Sequence, residues 1–84
     1  EFILQFRYNK FDGDTPLYLN ILKKFCSSHI LLNSEPSGDN KSLKLTYDIV
    51  LKEEMDINKF IMEISKSSNV TEPSIVAAQN DVDY

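Results

Sequence analysis

Residues 43–52 read LKLTYDIVLK, and this stretch decides the fold. Apolar and aromatic side chains stand at every odd position from Leu43 to Leu51, with Lys, Thr, Asp and Val between them. Because successive side chains of a strand point to opposite faces, the pattern is typical of a strand with one buried face. Residues 57–64 then carry apolar side chains at i, i+3, i+4 and i+7, which predicts a helix that packs on this strand and is capped by Asp56.

The first half of the chain repeats this strand and helix. Residues 2–8 read FILQFRY, and their even positions carry the apolar side chains of a half-buried strand. Helical spacing follows, with Thr15 as the expected N-cap and Pro16 as the first helical residue. We expect this helix to end near residues 27–28.

Two further strands complete the pattern. Residues 30–32 predict a short apolar strand, and residues 33–42 predict a hairpin loop because they are rich in turn-favouring residues. Residues 70–78 predict the last strand, and Pro73 indicates a sheet edge or a bulge. The order β-α-β-β-α-β favours a ferredoxin-like α+β fold, a four-stranded antiparallel sheet with both helices on one face.

The length of 84 residues suits a single domain. We expect this domain to cover residues 1–78, with residues 79–84 as a polar tail or as the end of the last strand. The chain opens on Glu1 and enters a strand pattern directly, which leads us to expect a domain of a longer protein.

Composition excludes several classes of function. Nine Lys and Arg against thirteen Asp and Glu give a net charge of −4, which argues against a nucleic-acid partner. No apolar run approaches the ~20 residues of a membrane helix, so we do not expect the domain itself to span a membrane. The single cysteine, Cys26, excludes an internal disulfide and a Cys-x-x-Cys metal loop, and we expect it to be buried.

No catalytic residue is predicted, and we do not expect an enzyme. Arg7 lies in a strand rather than in a phosphate-binding loop, and His29, expected at the end of the first helix, has no evident nucleophile beside it. The sequence also predicts no cofactor and no metal site of recognised spacing.

An acidic turn before the first helix is the candidate for ligand binding. Its carboxylates suit a hard cation, and they also favour the positive N-terminus of a helix without any ligand. The candidate ligand-binding residues are Asp12, Gly13, Asp14 and Thr15.

The sheet face turned away from the helices is the candidate interaction surface. The odd positions of the first strand and the even positions of the third strand share this face. The residues expected on it are Ile3, Gln5, Arg7, Lys44, Thr46, Asp48 and Val50.

Residues 11–35, FDGDTPLYLNILKKFCSSHILLNSE, resemble the first half of ACT domains. Asp14 and Pro16 fall in the register of that family, as do the apolar positions of the helix and strand that follow. The second half fits as well, so the resemblance covers nearly the whole chain. It implies a regulatory domain that senses small molecules, often amino acids, and pairs side by side through its sheet. Leu17 stands where the family has Gly, and its side chain would crowd a ligand at the loop backbone.

Residues 45–65, LTYDIVLKEEMDINKFIMEIS, are similar to the ACT-like cytoplasmic tails of bacterial membrane proteins of the MgtC type. This similarity implies a cytoplasmic domain, tethered to the inner membrane by a preceding part of its protein. We therefore expect a non-catalytic regulatory or interaction domain that acts by self-association or sensing, with a second copy or the rest of its protein as partner. The alternative is a sensor of an amino acid or a divalent cation that uses the acidic turn.

Overall fold

The computed structural model describes residues 1–9, 16–38 and 41–78. Four strands form one antiparallel sheet in the order β2-β3-β1-β4. This arrangement, with two helices, confirms the predicted ferredoxin-like α+β fold. In chain order the elements are β1 (Phe2–Asn9), α1 (Leu17–Phe25), β2 (Cys26–Pro36), β3 (Ser42–Leu51), α2 (Ile57–Lys66) and β4 (Val70–Ala77).

One face of the two central strands forms the floor of the core. In the β1–β3 pair, Leu4 lies opposite Tyr47 and Phe6 lies opposite Leu45. All four side chains are buried, as the alternation of both strands predicts. The even positions of β1 and the odd positions of β3 therefore face the helices.

Both helices cover this floor with apolar side chains at helical spacing. Leu22 of α1 and Phe60 and Ile64 of α2 are fully buried, and the Phe25 and Phe60 rings lie 5.6 Å apart. Burial of each such side chain contributes about 1.5–3 kcal/mol to folding. This packing holds α1 and α2 side by side on the sheet.

The two helices begin differently. At α2, the Asp56 side chain accepts a hydrogen bond from the Asn58 backbone N–H at 2.9 Å, which confirms the predicted cap. At α1, Pro16 precedes the first helical residue and makes no side-chain cap, so the helix begins one residue later than expected. Thr15 lies outside the described residues.

β2 is much longer than the sequence predicts. The strand begins at Cys26 directly after α1, so the expectation that the helix reaches residues 27–28 is wrong. β2 then runs on to Pro36 and takes up the first four residues of the predicted loop, 33–36. The predicted strand at residues 30–32 is only its middle. β2 pairs with β3 from Cys26 opposite Leu51 to Pro36 opposite Leu43, with two register shifts. Backbone hydrogen bonds to β3 stabilise this extended strand, although several of its residue types favour turns.

β4 forms the opposite edge of the sheet. Its pairing with β1 shifts register between Gln5 and Arg7, and Glu72 has a positive φ of 53° at this bulge. Pro73 therefore lies in an edge strand at a bulge, as predicted. Just beyond β4, the Ala78 backbone N–H donates to the Glu1 carbonyl oxygen at 3.1 Å, so the first and last described residues are neighbours.

Candidate interaction surfaces

The predicted ligand-binding turn lies outside the described residues. Its role in binding an amino acid or a cation therefore stays a prediction. The residues concerned are Asp12, Gly13, Asp14 and Thr15.

The predicted interaction residues share the sheet face that the helices leave uncovered. Across the central pair, Ile3 lies opposite Asp48, Gln5 opposite Thr46 and Arg7 opposite Lys44. The Gln5 side-chain amide donates to the Thr46 hydroxyl at 3.2 Å. Their role in binding a partner stays a prediction. The residues that the strand phase brings together on this face are Ile3, Gln5, Arg7, Lys44, Thr46, Asp48 and Val50.

An apolar row with one carboxylate crosses this open face. Val76, Ile3, Asp48 and Ile30 are successive cross-strand partners from β4 to β2. The Asp48 Oδ1 atom is buried and has no hydrogen-bond partner among the described residues. Ile30 and Val76 are both exposed at the ends of the row.

A charged row crosses the same face nearer the β3 start. Arg7 and Lys44 lie opposite each other, which costs free energy because like charges repel. Glu72 lies 3.7 Å from Arg7 between Oε1 and Nε, and Glu35 is the cross-strand partner of Lys44. The two carboxylates therefore offset the two cations in charge, and Arg7, Lys44 and Glu72 line a shallow hollow of about 160 Å³.

The edge strand β2 exposes the apolar run at residues 30–32, which the sequence predicts as a short strand. Ile30, Leu31 and Leu32 are 56%, 49% and 55% exposed. Ile30 pairs with Asp48 on the open face, and Leu31 pairs with Tyr47 on the helix side. Leu32 lies at the register shift that follows, between Leu31 and Asn33. The sequence does not reveal this exposure, because apolar residues in unbroken succession are also typical of a fully buried strand.

A groove between α1 and α2 is a further surface that sequence reasoning missed. Its hollow measures about 290 Å³ and is lined by apolar and basic side chains. A second hollow of about 340 Å³ lies toward the α1 start and shares two lining residues with the first. The residues that line the first hollow are Lys24, Phe25, Lys59, Met62, Glu63 and Lys66.

Among the residues that the structure describes, the nucleophilic and titratable side chains in and beside the core do not form a reactive pair. Burial raises the pKa of the Cys26 thiol to about 11, so the thiol stays protonated and is a poor nucleophile. His29 lies within β2 rather than at a helix end, with its ring 6.3 Å from the Tyr47 ring. Burial also raises the pKa of Tyr8 and Tyr18, and the Tyr18 hydroxyl is 3.3 Å from that of Tyr47.

Within residues 1–9, 16–38 and 41–78, no three His, Cys, Asp or Glu side chains are grouped so as to hold a metal ion. No described helix has the length and apolar character needed to cross a membrane.

Comparison with known proteins identifies no relative of this chain. The chain matches no protein-family model, no curated protein and no solved structure. The fold is thus the part of the ACT-like resemblance that the structure supports, and function has to be argued from the surfaces themselves.

Proposed function

We propose that this chain is a non-catalytic interaction domain that pairs with a second copy of itself through edge strand β2. The observation that carries the proposal is the run of Ile30, Leu31 and Leu32, each about half exposed on an eleven-residue edge strand. Apolar side chains at a sheet edge favour burial against another surface.

An edge strand also presents a row of unpaired backbone N–H and C=O groups to any second strand. Proteins usually block such edges with proline, charged side chains or bulges. Residues 26–34 carry no proline and no Lys, Arg, Asp or Glu, so the greater part of β2 lacks the first two of these devices. Addition of a strand from a second copy would satisfy the backbone groups and cover the apolar run.

Side-by-side pairing is also what the resemblance to ACT domains implies. Two copies joined along β2 would form one continuous eight-stranded sheet with helices on the same side. The helices and the open face would stay accessible in such a pair, because neither lies on the edge.

The test compares matched substitutions on the two edges of the sheet. Sedimentation velocity across a range of protein concentrations should show a dimer for the native chain. Ile30→Lys with Leu32→Lys should give a monomer of unchanged circular dichroism, because buried lysines would oppose pairing. Thr71→Lys with Val76→Lys, on β4, should leave the dimer intact. A native chain that is monomeric at every concentration would overturn the proposal.

As part of this proposal we assign the domain to the cytoplasm, as a regulatory part of a larger bacterial membrane protein. The support is the similarity of residues 45–65 to MgtC-type tails. The alternative, a sensor of an amino acid or cation, has its support in the acidic turn. It predicts ligand-induced thermal stabilisation that Asp12→Asn with Asp14→Asn abolishes.

A further inference from the structure

The groove between α1 and α2 combines an apolar floor with a basic rim. Phe25 is buried at the floor, while the neighbouring Met62 is 56% exposed. The Lys24 ammonium lies 5.5 Å from the centroid of the Phe25 ring, and Lys59 and Lys66 also line the hollow. An apolar side chain entering this groove would therefore be flanked by cations.

These cations are not balanced by their surroundings. Lys24, Lys59 and Lys66 form no ion pair with a described carboxylate, although Glu63 lines the same hollow. Four lysines and one glutamate give the two helices a net charge of +3, whereas the whole chain carries −4. The rest of the chain therefore carries −7, and the positive charge of the helix layer is a local feature.

Local helix stability accounts for only part of this basic rim. Lys24 and Lys66 lie in the last turns of their helices, where a cation interacts favourably with the helix dipole. Lys59 is the third residue of α2, near the positive end of that dipole, where a cation is disfavoured. Its placement beside the same hollow is better explained by an anionic partner.

We propose that this groove binds an acidic amphipathic helix of a partner protein. The apolar face of that helix would contact Phe25 and Met62, and its carboxylates would pair with the three lysines. Helices commonly bind in this way in apolar grooves, and methionine adapts readily to a partner's side chains. The site lies in the helix layer and not on the β2 edge, so the proposal does not rest on pairing of two copies.

The charge distribution favours a protein partner over other polyanions. A nucleic acid would meet the −7 of the remaining chain beside a short basic patch, whereas its binding depends on an extended cationic surface. An anionic membrane would need several protruding apolar side chains, whereas Met62 is the one exposed apolar side chain among the described residues that line this hollow, and Phe25 is buried at its floor.

The experiment uses a synthetic helical peptide with glutamates on one face and leucines on the other. Its fluorescence anisotropy is measured against the native chain and against Lys24→Gln, Lys59→Gln and Lys66→Gln combined. We expect this groove variant to bind about tenfold more weakly, because three ion pairs are lost. The control combines Lys41→Gln, Lys44→Gln and Lys52→Gln, which removes the same charge outside the two helices and should bind within about twofold of the native chain.

Two further measurements make the result decisive. A peptide with glutamine in place of each glutamate should bind weakly to every variant, and Met62→Ser should weaken binding of the acidic peptide. Equal losses in the two triple variants would overturn the proposal, because they would show an effect of net charge alone. Groove-dependent binding of single-stranded DNA or of vesicles rich in phosphatidylserine, with none of the peptide, would also overturn it.

Discussion

The two edges of the sheet are built in opposite ways. β4 is eight residues long, contains Pro73, and is kinked by a bulge at which Glu72 has a positive φ. β2 is eleven residues long and exposes an apolar run at its middle, residues 30–32.

The difference indicates which edge is available for pairing. Proline, a bulge and an exposed charge are the devices by which proteins prevent a second chain from adding to a sheet. β4 has all three, whereas residues 26–34 of β2 have no proline and no Lys, Arg, Asp or Glu, and only their two register shifts interrupt the edge. The comparison therefore supports β2 as the interaction edge and makes β4 the natural control in any experiment on association.

The largest expected effect on the free energy of unfolding separates buried core residues from exposed residues of the sheet edge. Phe60→Ala should lower the free energy of unfolding by about 3–5 kcal/mol, because it removes a fully buried ring that contacts Phe25. Leu32→Ala should change it by less than about 0.5 kcal/mol, because that side chain is exposed on β2. Urea denaturation at low protein concentration measures both. Equal losses would mean that the β2 run belongs to the core.

A smaller effect concerns Cys26, the buried first residue of β2. The unfolded thiol ionises near pH 9.0, whereas burial holds the folded thiol protonated up to about pH 11. Its contribution to stability is therefore complete below pH 9 and is lost as the pH rises from 9 to 11. Over this range the native chain should lose roughly 2 kcal/mol more than Cys26→Ala.

Urea midpoints at pH 8, 9, 10 and 11 measure this difference. Tyr8 and Tyr18 also have raised pKa values, so both proteins should lose stability at the alkaline end. Parallel curves for the native chain and Cys26→Ala would show that the start of β2 is not buried in solution.

The smallest effect concerns the bulge that protects β4. Glu72 lies in the left-handed region, where a Cβ atom is unfavourable and glycine is not. Glu72→Gly should therefore be more stable than Glu72→Ala by about 1 kcal/mol. Both variants lose the exposed contact with Arg7, so the difference between them reports only the cost of the left-handed backbone conformation at position 72. Thermal denaturation measures it, and a more stable alanine variant would contradict the bulge geometry.

Most of the fold could be predicted because buried apolar residues recur in the sequence with the period of a strand or of a helix. Leu45, Tyr47 and Ile49 alternate with polar residues, and Phe60 and Ile64 recur at helical spacing. The last part of β2 has no such period, because its residues 33–35 are polar, are exposed and favour turns. That part of the strand forms because β3 supplies its backbone hydrogen bonds. Its conformation is therefore determined by the partner strand and not by its own residue types.

The candidate surfaces were predictable to different extents for the same reason. The open face follows from strand phase alone, which places Gln5 beside Thr46 once the two strands pair. The groove does not, because Lys24 and Lys59 come together only through the packing of two separate helices. The run at residues 30–32 was predicted as an apolar strand, but its exposure was not predicted, because the strand pattern does not show which part of the sheet edge the helices leave uncovered.

The contact between Ala78 and Glu1 has a consequence for how such a domain is combined with others. Because β1 and β4 are neighbours, Glu1 and Ala78 lie about 5 Å apart, the spacing of adjacent antiparallel strands. A host protein could accept this domain within a surface loop with little change in the positions of the loop ends. The loop-closure entropy of such an insertion would be small, and a circular permutant joined at these ends should keep the same sheet.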